Sequence, residues 1–165
     1  MKLEQLIGAV REQLVSEYEK GLLTDAPRVH LAFMREPYMQ LVLDGKKTIE
    51  SRFSRNRIVP FAQVSAGDAL IFKRSGGPIT ALAFVSAVLF KRKEFAEDWC
   101  SLRDLGEQIG VDASFWRGMQ DRRFATLMWL ADVTPLAPFS VEKNNGDRRG
   151  WIVLRDKQTQ IGAPA

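Results

Sequence analysis

The sequence of 165 residues has one cysteine, Cys100, and one histidine, His30. A disulfide bond within the chain is therefore impossible, which favours a reducing compartment. A zinc site built from cysteine and histidine is excluded as well, and we expect neither a metal nor a cofactor. We expect Cys100 to be a small packed residue and His30 to be structural rather than catalytic.

Long apolar segments are also scarce. The most apolar run, residues 81–90, is only about half as long as a helix that spans a bilayer. The first residues lack the apolar region of a signal peptide. We therefore expect a cytoplasmic protein that does not enter a membrane.

Charge is present in both signs, but it is unevenly placed. The chain has 24 Lys and Arg against 20 Asp and Glu, a formal net charge of +4. Residues 45–57 contain one acid, Glu50, and five cations, so this short run carries a net charge equal to that of the whole chain. Such a concentration favours phosphate contacts, although a solvated face kept for solubility is the alternative. The five cations are Lys46, Lys47, Arg52, Arg55 and Arg57.

Apolar periodicity predicts the elements of an α+β fold. A helix is expected over residues 2–20, ending at Gly21, and a short helix after Pro37, ending at Gly45. Two helices are expected between residues 94 and 121. Strands are expected over residues 29–34, 48–54, 69–74, 79–91, 124–133 and 151–155, with Pro135 and Pro138 ending the fifth strand and a loop over residues 144–147. The economical packing is a small mixed β-barrel with flanking helices.

The same reading divides the chain into three parts. Residues 1–24 form an N-terminal helical extension, residues 29–156 form the domain, and residues 157–165 form a flexible tail. The apolar face of the extension is expected to pack on the barrel. Its alternative role is to bind a protein partner.

The strand over residues 48–54 alternates polar and apolar side chains. A spacing of two places Thr48, Glu50 and Arg52 on one face, next to Lys46 and Lys47. This grouping indicates a small site that recognises an anion. A solvated strand with an ion pair across its face is the alternative.

A second basic spot lies near the end of the chain. Arg148 and Arg149 precede Trp151, and this combination is suited to clamping a phosphate and stacking a base. Trp151 also begins an apolar strand, so core packing is the alternative. For Arg122, which follows Asp121, we expect surface ion pairing.

The spacing Gly45-x-Lys47-x-x-Glu50-x-Arg52, preceded by Pro37-Tyr38 and a short helix, resembles the signature of the ASCH family, a branch of the PUA-like superfamily. The resemblance covers residues 29–155. It implies a PUA-like β-barrel with a helix between its first two strands, and a cleft beside that helix that binds RNA or modified nucleosides.

The resemblance also suggests an activity. Small bacterial acetylcytidine amidohydrolases of this family use a lysine that matches Lys47, a threonine that matches position 50 and a distant glutamate. Here position 50 is Glu50, so the hydroxyl group is missing from its family position. Lys47, Glu50 and Arg52 remain candidate catalytic residues for metal-independent hydrolysis of RNA, as a ribonuclease, or of an acylated nucleoside.

The sequence therefore predicts a protein that binds RNA or a nucleoside-like ligand in a basic cleft around residues 46–57. A metal-independent hydrolase is the first alternative and a protein-interaction scaffold is the second. The base preference and the oligomeric state do not follow from the sequence. The expected binding residues are Tyr38, Lys46, Lys47, Thr48, Arg52, Arg55, Arg57, Arg148, Arg149 and Trp151.

Overall fold

The computed structural model describes residues 1–142 and 146–158. Its helices are α1 (Leu6–Gln13), α2 (Glu17–Asp25), α3 (Tyr38–Leu43), α4 (Gly106–Ile109) and α5 (Ala113–Gly118), with 3₁₀ segments at Leu3–Gln5 and Ala96–Leu105. Its strands are β1 (Arg28–Met34), β2 (Ile49–Ser54), β3 (Ala69–Arg74), β4 (Ile79–Arg92), β5 (Phe124–Phe139) and β6 (Trp151–Asp156). The predicted α+β class is confirmed.

All six strands form one mixed sheet in the order β2-β5-β4-β3-β1-β6. β1 pairs with β3 in parallel, with His30 opposite Leu70, and the other pairs are antiparallel. The pairing of the long strands β4 and β5 shifts register at three places. Such irregularities bend a strand and increase its twist, so they help the sheet to curl.

The expectation of a small mixed β-barrel holds for the mixed sheet, but the sheet does not close. In the described part of the chain no strand ladder joins the two edge strands, β2 and β6. The side chain of Arg52 crosses the gap instead. The guanidinium of Arg52, in β2, donates to the backbone oxygen of Phe33 in β1 and to that of Gly150, the residue before β6. The sheet is therefore open, but it curls far enough for a side chain to span its seam.

The N-terminal segment forms two helices, so the single helix predicted over residues 2–20 is wrong. Leu14 has an extended backbone (φ −77°, ψ 132°), and Ser16 begins α2 by accepting a hydrogen bond from the Glu19 amide through its hydroxyl group. A serine cap offers the backbone an alternative to continued helix. Gly21 lies inside α2, and Tyr18, which shares the apolar spacing, is 68% exposed.

Both N-terminal helices pack on the sheet. Leu6, Val10 and Leu23 are fully buried in one core cluster with residues of β1, β3, β4 and β6. Each buried side chain of this size contributes about 1.5–3 kcal/mol. The apolar stripe that was a candidate partner surface is thus covered by the sheet.

The fifth strand continues through both prolines, so the prediction that Pro135 and Pro138 end it is wrong. β2 pairs with β5 only up to Trp129, and beyond that residue β5 has β4 as its paired neighbour. Proline is tolerated where a strand has a free edge, because no ladder needs its missing N–H. The side chain of Gln13 covers part of this edge with two hydrogen bonds to the backbone of Ala137.

Further expectations concern single residues and the tail. Cys100 is exposed rather than packed, because it lies on the outer side of the 3₁₀ segment whose Trp99 and Leu102 are buried.

Residues 144–145 of the expected loop and residues 159–165 of the expected tail lie outside the described residues. In residues 1–142 and 146–158, no helix is both long and apolar enough to cross a membrane.

Candidate functional site

A tight turn between α3 and β2 directs Lys47 inward. Gly45 has a φ of +72°, a conformation that glycine adopts without strain. The amides of Lys46 and Lys47 both donate to the backbone oxygen of Leu41 at 2.9 Å. This turn closes α3 and leaves Lys46 exposed while Lys47 is buried.

The end of α4 closes over Lys47 from the other side. Gly110 has a φ of +84°, and a Cβ atom there would lie 3.2 Å from Leu41 Cδ1 and 3.5 Å from Lys47 Cβ. Glycine thus permits a close approach, which brings the Ile109 backbone oxygen to 2.6 Å from Lys47 Nζ. The same ammonium group also donates to the Ile49 oxygen at 2.8 Å.

Lys47 is buried beside an acid. Its residue exposure is 4%, and Nζ lies 3.4 Å from Glu50 Oε2. Burial lowers the pKa of Lys47 below its ordinary value, because desolvation disfavours the charged form. Glu50 opposes this shift in the Lys47 pKa, and the nearby Arg52 adds to it.

Glu50 is the acidic centre of the site and is 3% exposed. Its Oε1 accepts a hydrogen bond of 2.8 Å from Arg52 Nε. Oε2 accepts no hydrogen bond from any described residue, although it is within ion-pair distance of Lys47. A buried carboxylate oxygen in this state keeps acceptor capacity for a donor that enters from outside.

Arg52 is held from several directions. Besides Glu50, it contacts the Phe33 oxygen at 2.8 Å, the Gly150 oxygen at 3.3 Å and Met34 Sδ at 3.4 Å. Its guanidinium carbon lies 5.0 Å from the ring centre of Trp151, a cation–π distance. The position of Arg52 is therefore set by three segments of chain.

A buried hydrogen-bonded chain supports Trp151 from below. Its indole N–H donates to His30 Nδ1 at 3.0 Å, and His30 Nε2 lies 2.8 Å from Asp68 Oδ2. Asp68 also accepts hydrogen bonds from the amides of Arg28 and Ser65. His30 and Asp68 are both fully buried, which is the environment of a structural histidine.

Lys47, Glu50 and Arg52 line a cleft of about 720 Å³. The rim and walls are strongly cationic, and Glu50 is the one acid among the described residues that line the cleft. The apolar part of the wall includes Phe33, Tyr38, Phe53, Phe115 and Met119. The cationic side chains are Arg35, Lys47, Arg52, Lys73, Arg122, Arg148 and Arg149.

Residues 33–126 match the model of the ASCH domain family. The chain belongs to the ASCH domain family. Its fold is similar to the crystal structure of ASCH from Zymomonas mobilis, with a TM-score of 0.61 and 17% sequence identity, covering 81% of this chain and 92% of that one. Two crystal structures of point mutants of that protein give TM-scores of 0.61 and 0.60 at the same identity, covering 82% and 81% of this chain and 94% and 95% of theirs. No curated protein matches this chain.

The match confirms the sequence-based recognition of an ASCH protein with a PUA-like fold. The matched region begins at the end of β1 and ends in β5, so it contains the whole α3–β2 corner. At 17% identity the similarity to the solved structures concerns the fold.

The ASCH cleft contains only some of the residues expected to bind a ligand. Tyr38, Lys47, Arg52, Arg148 and Arg149 line it, together with Glu50. Trp151 does not line this cleft and is 3% exposed, and its ring lies against the guanidinium of Arg52. Lys46, Thr48, Arg55 and Arg57 lie outside it.

Thr48, Arg55 and Arg57 lie outside the cleft for different physical reasons. Thr48 precedes β2, so the alternation of the strand does not extend to it, and its backbone bonds to Gln108 and Leu130 leave the side chain exposed. Arg55 follows β2 and pairs with Asp121. Arg57 packs its guanidinium over the ring of Phe61 at 5.3 Å.

Sequence reasoning missed a larger group that lines the ASCH cleft. Arg35 follows β1, Lys73 is the penultimate residue of β3, and Phe115 and Met119 come from the α5 region. Arg122 lines the cleft in addition to its expected pairing with Asp121. These residues are far apart in the sequence. Only Arg35, two residues before Pro37, lies close enough to the recognised motif for the sequence to indicate that it belongs to the site.

Proposed function

We propose that this ASCH protein binds single-stranded RNA or a nucleoside-like ligand in the cleft. The observation that carries the proposal is the composition of that cleft, in which cations surround an aromatic wall and one buried carboxylate. Phosphate groups need cations, and unpaired bases need ring faces and a few hydrogen-bonding groups. One described cleft offers all three.

The phosphates would lie at the rim. Arg35 and Arg148 are exposed and line the cleft, and neither side chain has an ion-pair partner among residues 1–142 and 146–158. Arg149 and Arg122 add charge there, although each also pairs with an aspartate. Cations on the rim of a cleft attract a polyanion and hold its backbone without reading its sequence.

The base would enter the interior. Tyr38 of α3 and Phe115 of α5 are half-buried and both line the cleft. Glu50 Oε2 can accept an N–H donor from the edge of a base. Because a base inside a duplex presents neither its faces nor its pairing edge, the site favours an unpaired nucleoside.

Binding can be tested with a fluorescent single-stranded RNA, measured by anisotropy over a range of salt concentrations. Arg35→Ala/Arg148→Ala should weaken binding and lower the slope of log affinity against log salt by roughly 0.7 for each lost phosphate contact. The matched control is Arg11→Ala/Arg103→Ala, which removes the same charge from residues that do not line the cleft. A wild-type protein that binds no RNA at low salt, or equal effects of the two double variants, would refute the proposal.

A second candidate is metal-independent hydrolysis, and it rests on the buried pair of Lys47 and Glu50. In RNA cleavage, the Glu50 carboxylate would take the proton of a 2′-hydroxyl whose oxygen attacks phosphorus. The bond from phosphorus to the 5′-oxygen then breaks, and the Lys47 ammonium protonates the leaving oxygen. Two backbone oxygens already hold this ammonium, so the geometry favours binding over proton transfer.

Hydrolysis is separated from binding by incubating the protein with RNA or with acetylated cytidine in the presence of EDTA. Turnover that survives EDTA and disappears in Lys47→Met would support the enzyme, and RNA products ending in a 2′,3′-cyclic phosphate would support the route above. Unchanged substrates would leave binding as the function of the cleft.

We further propose a cytoplasmic location, in keeping with a chain that has one cysteine. The N-terminal extension, residues 1–24, is proposed as a structural addition, since its apolar side chains pack on the sheet. The scaffold alternative is the weakest, because that packing leaves no stripe for a partner on the described apolar face of α1.

A further inference from the structure

A second, smaller pocket adjoins the ASCH cleft. Its volume is about 180 Å³, and it shares Arg52, Phe53 and Gly150 with the cleft. The rest of its lining is mainly apolar and comes mostly from the segment that follows β2, with Thr126 of β5 and Trp151 of β6. This lining includes Ile58, Val59, Pro60, Phe61 and Trp151.

We propose that this pocket is a subsite for the neighbouring nucleoside of an RNA strand whose first nucleoside occupies the cleft. The inference rests on the proposed function and makes it more specific. A free nucleoside fills only one of the two pockets, whereas a strand fills both. The ligand class is therefore an oligonucleotide of at least two nucleosides.

The pocket offers a rigid apolar surface of the kind on which bases stack. The Phe61 ring is fixed by edge contacts with Phe90 and Phe124, at centroid distances of 5.5 and 5.0 Å. Ile58 is 56% exposed at the mouth. Stacking on such a surface tolerates any base, because every base has a flat face.

The boundary between the pockets carries the charge that a linking phosphate needs. Arg52 lines both, and its guanidinium has five N–H donors. Three of them serve Glu50, Phe33 and Gly150, and a weaker contact goes to the sulfur of Met34. Arg148 and Arg149 precede Gly150, the backbone residue common to both pockets. A strand that passes from one pocket to the other thus passes Arg52 and the segment that carries Arg148 and Arg149.

A further cation lies next to the small pocket. Arg57 packs over the ring of Phe61, so its guanidinium stands beside the pocket without lining it. A polyanion that continues beyond the second nucleoside would meet this cation. An apolar pocket with Arg52 in its lining and Arg57 beside it matches a base flanked by phosphates better than it matches an apolar peptide side chain.

The test uses three probes for each base, with Kd measured by calorimetry at low salt. They are the ribonucleoside 5′-monophosphate, the 5′-phosphorylated dinucleotide, and the same dinucleotide with an abasic second residue. The abasic probe keeps the second phosphate and lacks the second base. We expect the full dinucleotide to bind roughly 5- to 150-fold more tightly than the abasic one, the range expected for one stacked base.

The variant Ile58→Asn should reduce this ratio towards one, because it makes the mouth of the pocket polar without adding charge. Its matched control is Val15→Asn, at a residue that is 93% exposed between α1 and α2 and should keep the wild-type ratio. Equal affinities of full and abasic dinucleotides for the wild type would overturn the subsite while leaving the cleft intact. A wild type that binds neither the monophosphates nor the dinucleotides would overturn the proposed function and the subsite together.

Discussion

Two groups of charged residues from one short run of sequence differ sharply in environment. Lys47, Glu50 and Arg52 form a buried network at the centre of the cleft, with side-chain exposures of 3%, 4% and 24%. Lys46 and Arg55, a few residues away, lie outside the cleft and are exposed. The basic run as a whole therefore does not define the site.

Burial changes how much stability is lost when one member of a charge pair is removed. In the buried network, removing one member leaves the others without compensation in a medium that solvates charge poorly. In the exposed pair of Arg55 and Asp121, water replaces whatever is lost. Matched substitutions in the two groups therefore test the contrast directly.

The largest difference is expected from neutralising the acid of each pair. Glu50→Gln removes the counter-charge of two buried or partly buried cations, so it should lower the free energy of unfolding by about 3 kcal/mol. Asp121→Asn should leave the unfolding curve within error of the wild type, since both side chains of its pair with Arg55 are at least half exposed. Urea denaturation followed by circular dichroism measures both. Equal, small effects would show that the Glu50 network is solvated in solution.

A smaller difference is expected from replacing the arginine of each pair with lysine. Arg52→Lys keeps the charge, but the lysine side chain cannot reach Glu50, Phe33 and Gly150 at once. All the N–H donors of an ammonium group are on one nitrogen atom, whereas those of a guanidinium are spread over three. A loss of about 1.5 kcal/mol in unfolding free energy is expected, the lower value for a hydrogen bond to a charged group. It should be accompanied by weaker RNA binding.

Arg55→Lys is the control for this substitution. It keeps the charge next to an exposed aspartate, so both the melting curve and the RNA affinity should match those of the wild type. If the two lysine variants behave alike, the seam-spanning contacts of Arg52 add nothing to stability or binding.

The smallest expected effect concerns pH. Burial lowers the pKa of Lys47 from 10.5, so between the lowered pKa and that value the unfolded chain holds more protons than the folded one. The stability of the wild type relative to Lys47→Met should therefore rise as the pH increases through this window. Below the window Lys47 is charged in both states, and above it neutral in both. Denaturation at several alkaline pH values measures the difference, and parallel curves for the two proteins would contradict the lowered pKa.

The parts of the fold that sequence reasoning predicted well are those with strong local signals. Strand β3 was placed with its observed bounds, and β1, β2, β4 and β6 within one residue at each end, because alternation and turn residues mark them. The break between α1 and α2 was missed, since the apolar spacing runs through it and a single serine cap decides it. The length of β5 was not predicted, because the sequence does not show that the second half of this strand has a free edge, where the missing N–H of proline breaks no ladder.

Only the part of the candidate site that comes from one short segment of the chain could be predicted from the sequence. Lys47, Glu50 and Arg52 belong to one turn and one strand, and their spacing is the one on which the sequence-based resemblance to the family rests. Arg35, Lys73 and Phe115 come from three other segments, and the sheet order that brings them together is set by long-range pairing. The second pocket likewise depends on the segment after β2 folding back against Trp151.

The amino-acid sequence by itself determined the class of the fold, the family and the residues of the central motif. These properties depend on local periodicity and on short spacings, which a chain carries whether or not it is folded. Only the tertiary structure decided which charges are buried, that Arg52 spans the open seam, and that Trp151 lies beneath it. Burial and long-range contacts depend on how distant segments pack, and the desolvation of a charged group cannot be inferred from its neighbours in sequence.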